Sequence, residues 1–502
     1  MKRMMTVLII MVMLASTTSC NKEEKTISAI GSPNYPKSVS FDDFDENKKI
    51  RNDNPVDDAF LLSLKDFSYR TAYQILSQSK GNVNYSPLSL YYALALAGTG
   101  AEGKTKDELL QLLGTQSSEL SKQCGNLYRL LYKDNEISKL KIANSLWLHN
   151  EVRFKEAYID NAVDNFYSSL FNLNLSDPLS KDLMTKWITE NTNGLISPDI
   201  KINPEQIMSI INTIYYYDEW VDRFDKKKTA PDQFYPDASS KVTCDFMNRT
   251  FASHSFLDGD GFTRSYLNLK NKGNMVFILP DEGIDIEELL SRYQLSDLFE
   301  EENSHHGKVI YQIPKFSLDS RLELPDMLKD LGVQTVFQKD ADFSNITDGL
   351  AYISSITQQT HLSIDENGVE AAAFTELDYA GASMPNGTAQ MILNRPFIYG
   401  IKNNGVLLFI GICNNPSNTE PVSIDGKTSE NEEKPDKTTP KVSIGSPSDI
   451  NSDNNDKNNN YDKNDSNDET GIEDNNEVDE TIEPTSENLV EYDEANFKLE
   501  DL

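Results

Sequence analysis

Residues 365–385 read Asp365-Glu-Asn-Gly-Val-Glu-Ala-Ala-Ala-Phe-Thr-Glu-Leu-Asp-Tyr-Ala-Gly-Ala-Ser-Met-Pro385. After Gly368 the stretch alternates as a strand does. Val369, Ala371, Ala373, Thr375, Leu377 and Tyr379 share one face, which is apolar or small. Glu370, Ala372, Phe374, Glu376 and Asp378 share the other, which is mostly charged. Yet the segment is poor in β-branched residues and ends in Gly381 and Pro385, which suit a loop. A segment that fits both states is expected to change state.

The surrounding chain has 502 residues and a formal charge of -33, which excludes an electrostatic footprint for nucleic acid. The charge is uneven: Pro416 to Leu502 holds 25 acidic and 7 basic residues. This stretch is rich in Asn, Asp, Glu, Ser and Lys. It cannot bury enough apolar area to offset the entropy of ordering, so 417–502 is expected to be a disordered acidic tail.

At the other end, Lys2 and Arg3 precede an apolar run over residues 4–15, too short for a stable transmembrane helix and suited to a signal peptide. Small residues then lead to Cys20, which resembles a bacterial lipoprotein signal (residues 1–19) with Cys20 as the lipidated mature N-terminus. Thr18 and Ser19 depart from the preferred small pair, and an ordinary signal peptide cleaved near Ser16 is the alternative. Asn21-Lys22-Glu23-Glu24 resembles a signal that sends some bacterial lipoproteins to the outer cell surface. The expected location is therefore the outer membrane, surface-exposed, with secretion as the alternative. Residues 20–54 are polar and read as a flexible linker between lipid and domain.

Between them, residues 55–416 have globular composition with mixed helix and strand patterns. Phe60, Leu64 and Phe67 have helical spacing, and Ser86-Pro87 reads as the cap and first turn of a second helix. Residues 274–280 read as a buried strand, and 391–413 as closing core strands around an Asn403-Asn404-Gly405 turn. Cys124, Cys244 and Cys413 have no metal or disulfide spacing; they read as buried thiols, with one disulfide left open.

Two motifs invite enzymatic readings. Gly98 to Thr105 matches the phosphate-loop pattern in full, but that mechanism needs a strand before the loop, and the Ala/Leu-rich residues before it read as helix. Thr105 and Glu108 read instead as a helix capping box. His305-His306 lies beside Glu300, Glu301 and Glu302 and reads as a solvated loop rather than a metal site. No cofactor, metal or catalytic residue is expected.

The motifs that remain form an ordered series. Asn82 to Ser89 is followed by Ala143-Asn144-Ser145-Leu146-Trp147, then by Trp187 and Thr192-Asn193-Gly194. Asn212, Trp220 and Phe224 come next, then Ile313 to Phe316, Ala341 to Ser344, the 365–375 stretch, and Asn394-Arg395-Pro396-Phe397. In that order and spacing the chain resembles the serpin family over nearly all of 55–416. The resemblance implies an α+β fold with three β-sheets, eight or nine helices and an exposed reactive loop. It implies a monomeric suicide inhibitor of serine proteases, whose cleaved loop inserts into the main sheet and traps the acyl-enzyme. Glu366, Gly368, Val369, Ala371, Ala372, Ala373 and Thr375 match the hinge and inserting strand, whose inward row holds no Pro or charge. Lys315, Trp220, Asn212, Ser86, Ser89 and Gln358 match the residues that hold or underlie the strands that part. Gln358 stands where the family often has histidine.

Counting from Glu366 places the cut at Ala382-Ser383, while counting back from Asn394 places it about three residues later, leaving Ala382 to Met384 open. Ala382 suits an elastase-like pocket, with chymotrypsin-like and papain-like proteases as further candidate partners. A non-inhibitory serpin acting as a surface binding or structural protein is the alternative. The only expected membrane contact is the lipid on Cys20.

Overall fold

A computed structural model describes residues 29–175, 177–198, 200, 207–299, 304–369 and 387–417. Ten α-helices occur among the described residues. They are α1 (Phe44–Asp53), α2 (Asp58–Gln78), α3 (Pro87–Gly100), α4 (Gly103–Leu113), α5 (Ser117–Leu131), α6 (Glu156–Phe166), α7 (Pro178–Asn191), α8 (Ile286–Arg292), α9 (Leu295–Phe299) and α10 (Pro325–Asp330).

The main sheet runs in the order β11 (Phe316–Glu323), β12 (Ile353–Ile364), β13 (Gly368–Val369), β5 (Met208–Glu219), β3 (Ser138–His149) and β2 (Lys133–Asp134). Strand β4 (Ser168–Leu173) pairs with β3 off this path. The second sheet runs β1 (Val83–Tyr85), β16 (Val406–Cys413), β15 (Phe397–Asn403), β9 (Gly273–Pro280), β8 (Phe262–Leu269), β7 (Val242–Gly259), β10 (His305–Pro314) and β14 (Thr388–Ile392). Strand β6 (Ala230–Phe234) pairs with β7. Where three sheets were expected, hydrogen bonding joins two of them. The 18-residue β7 is long enough to pair with β6 and β10 along one part and with β8 at its end.

Local sequence accounts for the elements that position the main sheet. Ser86 accepts from the Ser89 N–H and Pro87 opens α3, a cap-and-proline start that satisfies one of the free N–H groups of the first turn. Nearly every residue of α3 is buried, because it lies under both sheets. Strand β5 is buried along almost its whole length. Ile211 packs with Trp147, Phe171 and Trp187 under α7, and Trp147 stacks on Phe171 at 3.9 Å. Ile210 and Ile214 enter the large core behind the sheet. The β15–β16 turn has positive φ at Asn404 and Gly405, as a tight hairpin requires. Met391 and Ile392, read as part of the same closing strands, belong to β14, which pairs in parallel with β10.

One sequence reading holds and three change. The segment before Gly98–Thr105 is α3 and the next helix begins at Gly103, so no strand feeds the loop and the phosphate-loop geometry is excluded. The Thr105–Glu108 capping box is absent as well. The Thr105 hydroxyl accepts from Asp342 N (2.9 Å), and Glu108 accepts from the Gln334 and Thr335 N–H groups (2.8 and 2.7 Å), tying α4 to a neighbouring turn. His305 and His306 begin strand β10 rather than sit in a loop, and the His305 ring packs 4.1 Å from Phe256.

The linker reading of 20–54 fails from Ala29 onward. Ile30 N donates to Leu170 O (2.8 Å) and Leu170 N to Gly31 O (2.9 Å), which adds a short rung to the edge strand β4. Tyr35 stacks between Tyr132 and Tyr167 beneath the Lys141 ammonium, and α1 follows. A polar composition hid one aromatic anchor. Cys124, Cys244 and Cys413 are free thiols. The sequence expectations for residues 1–28, including Cys20, and for 418–502 lie outside the described residues.

The fold predicts one sensitive position far from the main sheet's centre. A Cβ on Gly411 would overlap the Val83 carbonyl and the Tyr399 ring, both fixed in the core. Gly411→Ala is expected to destabilise the protein by about 1–3 kcal/mol through overpacking, read as a lower midpoint in thermal or urea unfolding.

Candidate functional site

Strands β5 and β12 form the centre of the main sheet. They run parallel and pair from Met208 and Ile353 up to Thr213 and Gln359. Above that point no rung joins residues 214–217 to 360–363. The two strands are bridged again only at the top, by β13. Val369 pairs antiparallel with Ile364 on one side and Asp218 on the other, and Gly368 pairs with Glu219. Only glycine fits at position 368, since a Cβ there would overlap the Asp218 carbonyl and crowd the Glu219 backbone. The result is a two-residue strand seated like a wedge above an open length of sheet.

The wedge is clamped by its flanks. Trp220, fully buried, donates from its indole Nε1 to Asp365 O and from its backbone N–H to Asn367 O, both at 2.9 Å. Phe224 N donates to Glu366 O (2.9 Å). The Glu366 carboxylate is 3.0 Å from the Lys315 ammonium and accepts from the Thr229 hydroxyl at 2.8 Å. Burial opposes the charge on Glu366, yet hydrogen bonds from its own backbone N–H, Lys315 and Thr229 outweigh it and hold the carboxyl below its ordinary range. Thr229 and Phe224 act here through contacts with Glu366 that residue type alone did not signal.

Below the gap lies a polar floor. Gln358 and Ser86 hold each other by two bonds of 2.8 Å: Ser86 N donates to Gln358 Oε1, and Gln358 Nε2 donates to Ser86 O. Asn212 donates to Asn144 Oδ1. Asn212 Oδ1, Ser89 Oγ, Thr213 Oγ1 and Asn84 Nδ2 are buried without a hydrogen-bond partner. Buried polar atoms left unpaired cost about 1–3 kcal/mol each, so this floor is not at its lowest energy.

The sequence-derived residues thus fall into two groups. Lys315, Trp220, Glu366, Gly368 and Val369 meet at the top of β5, and Ser86, Ser89, Asn212 and Gln358 meet under its lower half. Ala371, Ala372, Ala373, Thr375, Ala382 and Ser383 lie outside the described residues. What sequence reasoning missed is the acid pair at the end of β5. Glu219 is gripped by Arg223 (2.6 Å) and Lys270 (2.8 Å), while Asp218 has no cation partner among the described residues.

The arrangement has close counterparts. The family model for serpins, serine protease inhibitors, matches residues 62–416. Bovine Serpin A3-1 is 30% identical over 369 residues, covering 70% of this chain and 88% of its own length. A serine protease inhibitor of the mouse is 27% identical over 386 residues, covering 74% of this chain and 92% of its own. Among solved structures, the thermophilic serpin tengpin in its native state superposes with a TM-score of 0.66 at 26% identity, covering 78% of this chain and all of that one.

If the Lys315–Glu366 pair clamps the wedge, removing the cation leaves a nearly buried carboxylate with only hydroxyl and backbone partners. Lys315→Ala is expected to lower stability by about 1–3 kcal/mol. It is also expected to increase uptake, seen by native gel shift, of a synthetic peptide with the sequence of residues 369–381. Wild-type uptake at an equal rate would show that the pair does not restrain the strands.

Proposed function

The chain belongs to the serpin family, and we propose that it is an inhibitory member: a suicide inhibitor of serine endopeptidases, elastase-like ones first. Serpins in general inhibit proteases and are not enzymes. The observation that carries the inhibitory reading is the open length of sheet between β5 and β12. Continuing the β13 register would set residue 371 between Leu362 and Tyr216 and residue 373 between Thr360 and Ile214. It would set residue 375 between Gln358 and Asn212, one rung below Thr213–Gln359, the first existing rung that must part. A small or β-branched residue stands at each of these positions: Ala371, Ala373 and Thr375. The incoming strand therefore adds backbone partners without overpacking the core.

The chemistry begins with the protease. Its serine Oγ attacks the Ala382 carbonyl, the Ala382–Ser383 bond breaks, and the Ser383 amine leaves with a proton. The freed loop enters the gap before water reaches the ester, and the protease is carried along as an acyl-enzyme. The energy released was stored in the unpaired native sheet, so the outcome depends on a race between insertion and deacylation. Papain-like cysteine proteases would form the equivalent thioester. The lipid on Cys20 would place this trap at the outer surface of the cell.

The test is incubation with elastase-, chymotrypsin-, trypsin- and papain-like proteases, read as complexes stable in SDS. Elastase is expected to form such a complex and release a peptide beginning at Ser383, as seen by mass spectrometry. Cleavage with no complex would assign the chain to the non-inhibitory serpins, and release beginning at Ala380 would move the reactive bond to Tyr379. Thr375→Arg would place a charge between Gln358 and Asn212. It is expected to turn inhibition into turnover, with complex yield falling at least about tenfold, as burial of one unpaired charge costs well over the 1.4 kcal/mol of a decade. A variant that still forms the complex in wild-type yield would overturn the insertion step.

A further inference from the structure

One buried ionisable group at the hinge has no part in the mechanism above. Asp218 is fully buried at the end of β5. It lies in a row that crosses the main sheet through directly paired residues: Ser138, Asp218, Val369, Ile364 and Phe316. Paired residues share a face, and every member of this row is buried. A carboxyl group therefore lies beside the Val369 side chain, in the slot that receives the first residue of the wedge.

The groups around it are few. From its own strand, the Tyr216 hydroxyl donates to Oδ2 (3.2 Å) and the Glu219 N–H to Oδ1 (2.9 Å). From the β8–β9 turn, the Asn271 N–H donates to Oδ2 (3.3 Å). Strand β3 offers Ser138 and β13 offers Val369, neither charged. The neighbouring carboxylate, Glu219, takes both Arg223 and Lys270. Among the described residues Asp218 thus has hydrogen bonds but no counter-ion, and the wedge itself closes one flank of it from water.

We propose that Asp218 is a proton-controlled seat for the hinge: as a neutral acid it lets β13 lie between β5 and β12, and when it loses its proton it drives β13 out. Burial pushes its carboxyl up to about 8, against the pull of the Glu219, Tyr216 and Asn271 hydrogen bonds. Unseating opens a path to water and restores ordinary acidity. The seated state binds the proton more tightly, so the seated-to-unseated ratio falls as pH rises, by up to about tenfold per pH unit. The fall ends near pH 8, where the seated form also ionises. Glu366 acts oppositely, since its lowered acidity supports the clamp at neutral pH and fails only in acid. The proposal concerns the intact native chain and holds whether or not the loop inhibits a protease.

Trp220 reports on the seat directly through its bond to Asp365. Tryptophan emission of the full chain would be followed from about pH 5.5 to 9, above the range in which Glu366 titrates. The wild type is expected to change progressively and level off near pH 8. Asp218→Asn, a neutral isostere, is expected to hold the acid-side signal throughout, and Asp218→Ser serves if the first variant does not fold. His361→Gln, which removes the imidazole paired with Asp319 on the adjoining strands, is expected to keep the wild-type response. A flat wild-type profile, an unchanged response in both Asp218 variants, or loss of the response in His361→Gln alone would overturn the proposal.

Discussion

Everything at the centre of this molecule depends on two parallel strands that cannot stay paired along their full length. Strands β5 and β12 share rungs up to Thr213 and Gln359 and then separate, with β13 holding the top apart. A sheet seeks to pair every backbone group. Between those rungs and β13, residues 214–217 of β5 and 360–363 of β12 share no rung. Among the described residues the main sheet is thus only partly closed at its centre.

The surrounding structure divides the work of holding that state. Aromatic packing fixes the frame: Trp147, Phe171 and Trp187 press one face of the sheet, and the Phe316, Phe397 and Tyr399 rings pack behind the other. Polar contacts hold what would move in the proposed insertion. The clamp around Glu366 and the Gln358–Ser86 pair consist of hydrogen bonds and one ion pair, which break and re-form without loss of a core. Unpaired atoms on Asn212, Ser89 and Thr213 lie where a new strand would pass. The floor is therefore easier to rearrange than an apolar one of equal burial.

Much of this was legible from residue order. The alternation after Gly368 and the ordered series from Asn82 to Phe397 pointed to the fold and the hinge, because local spacing and turn chemistry carry that information. Tyr35 and Asp218 were not legible. Tyr35 sits in a polar stretch that reads as linker, and its anchoring depends on Tyr132, Tyr167 and Lys141, all far along the chain. Asp218 carries no mark in the sequence beyond standing beside a second acid, Glu219. That one is ion-paired and the other isolated follows only from where Arg223 and Lys270 point. His305 reads as loop because its neighbours are acidic, although pairing with β7 makes it strand.

The two hinge carboxyls constrain each other's meaning. Glu366 lies outside the wedge, where a cation and a hydroxyl reward its charge. Asp218 lies inside the row that the wedge completes, where charge is penalised. Below the ordinary range of a carboxylic acid, the clamp weakens while the seat holds; toward pH 8, the clamp holds while the seat weakens. The surroundings that reward charge at Glu366 and penalise it at Asp218 thus set opposite pH limits on the seated hinge.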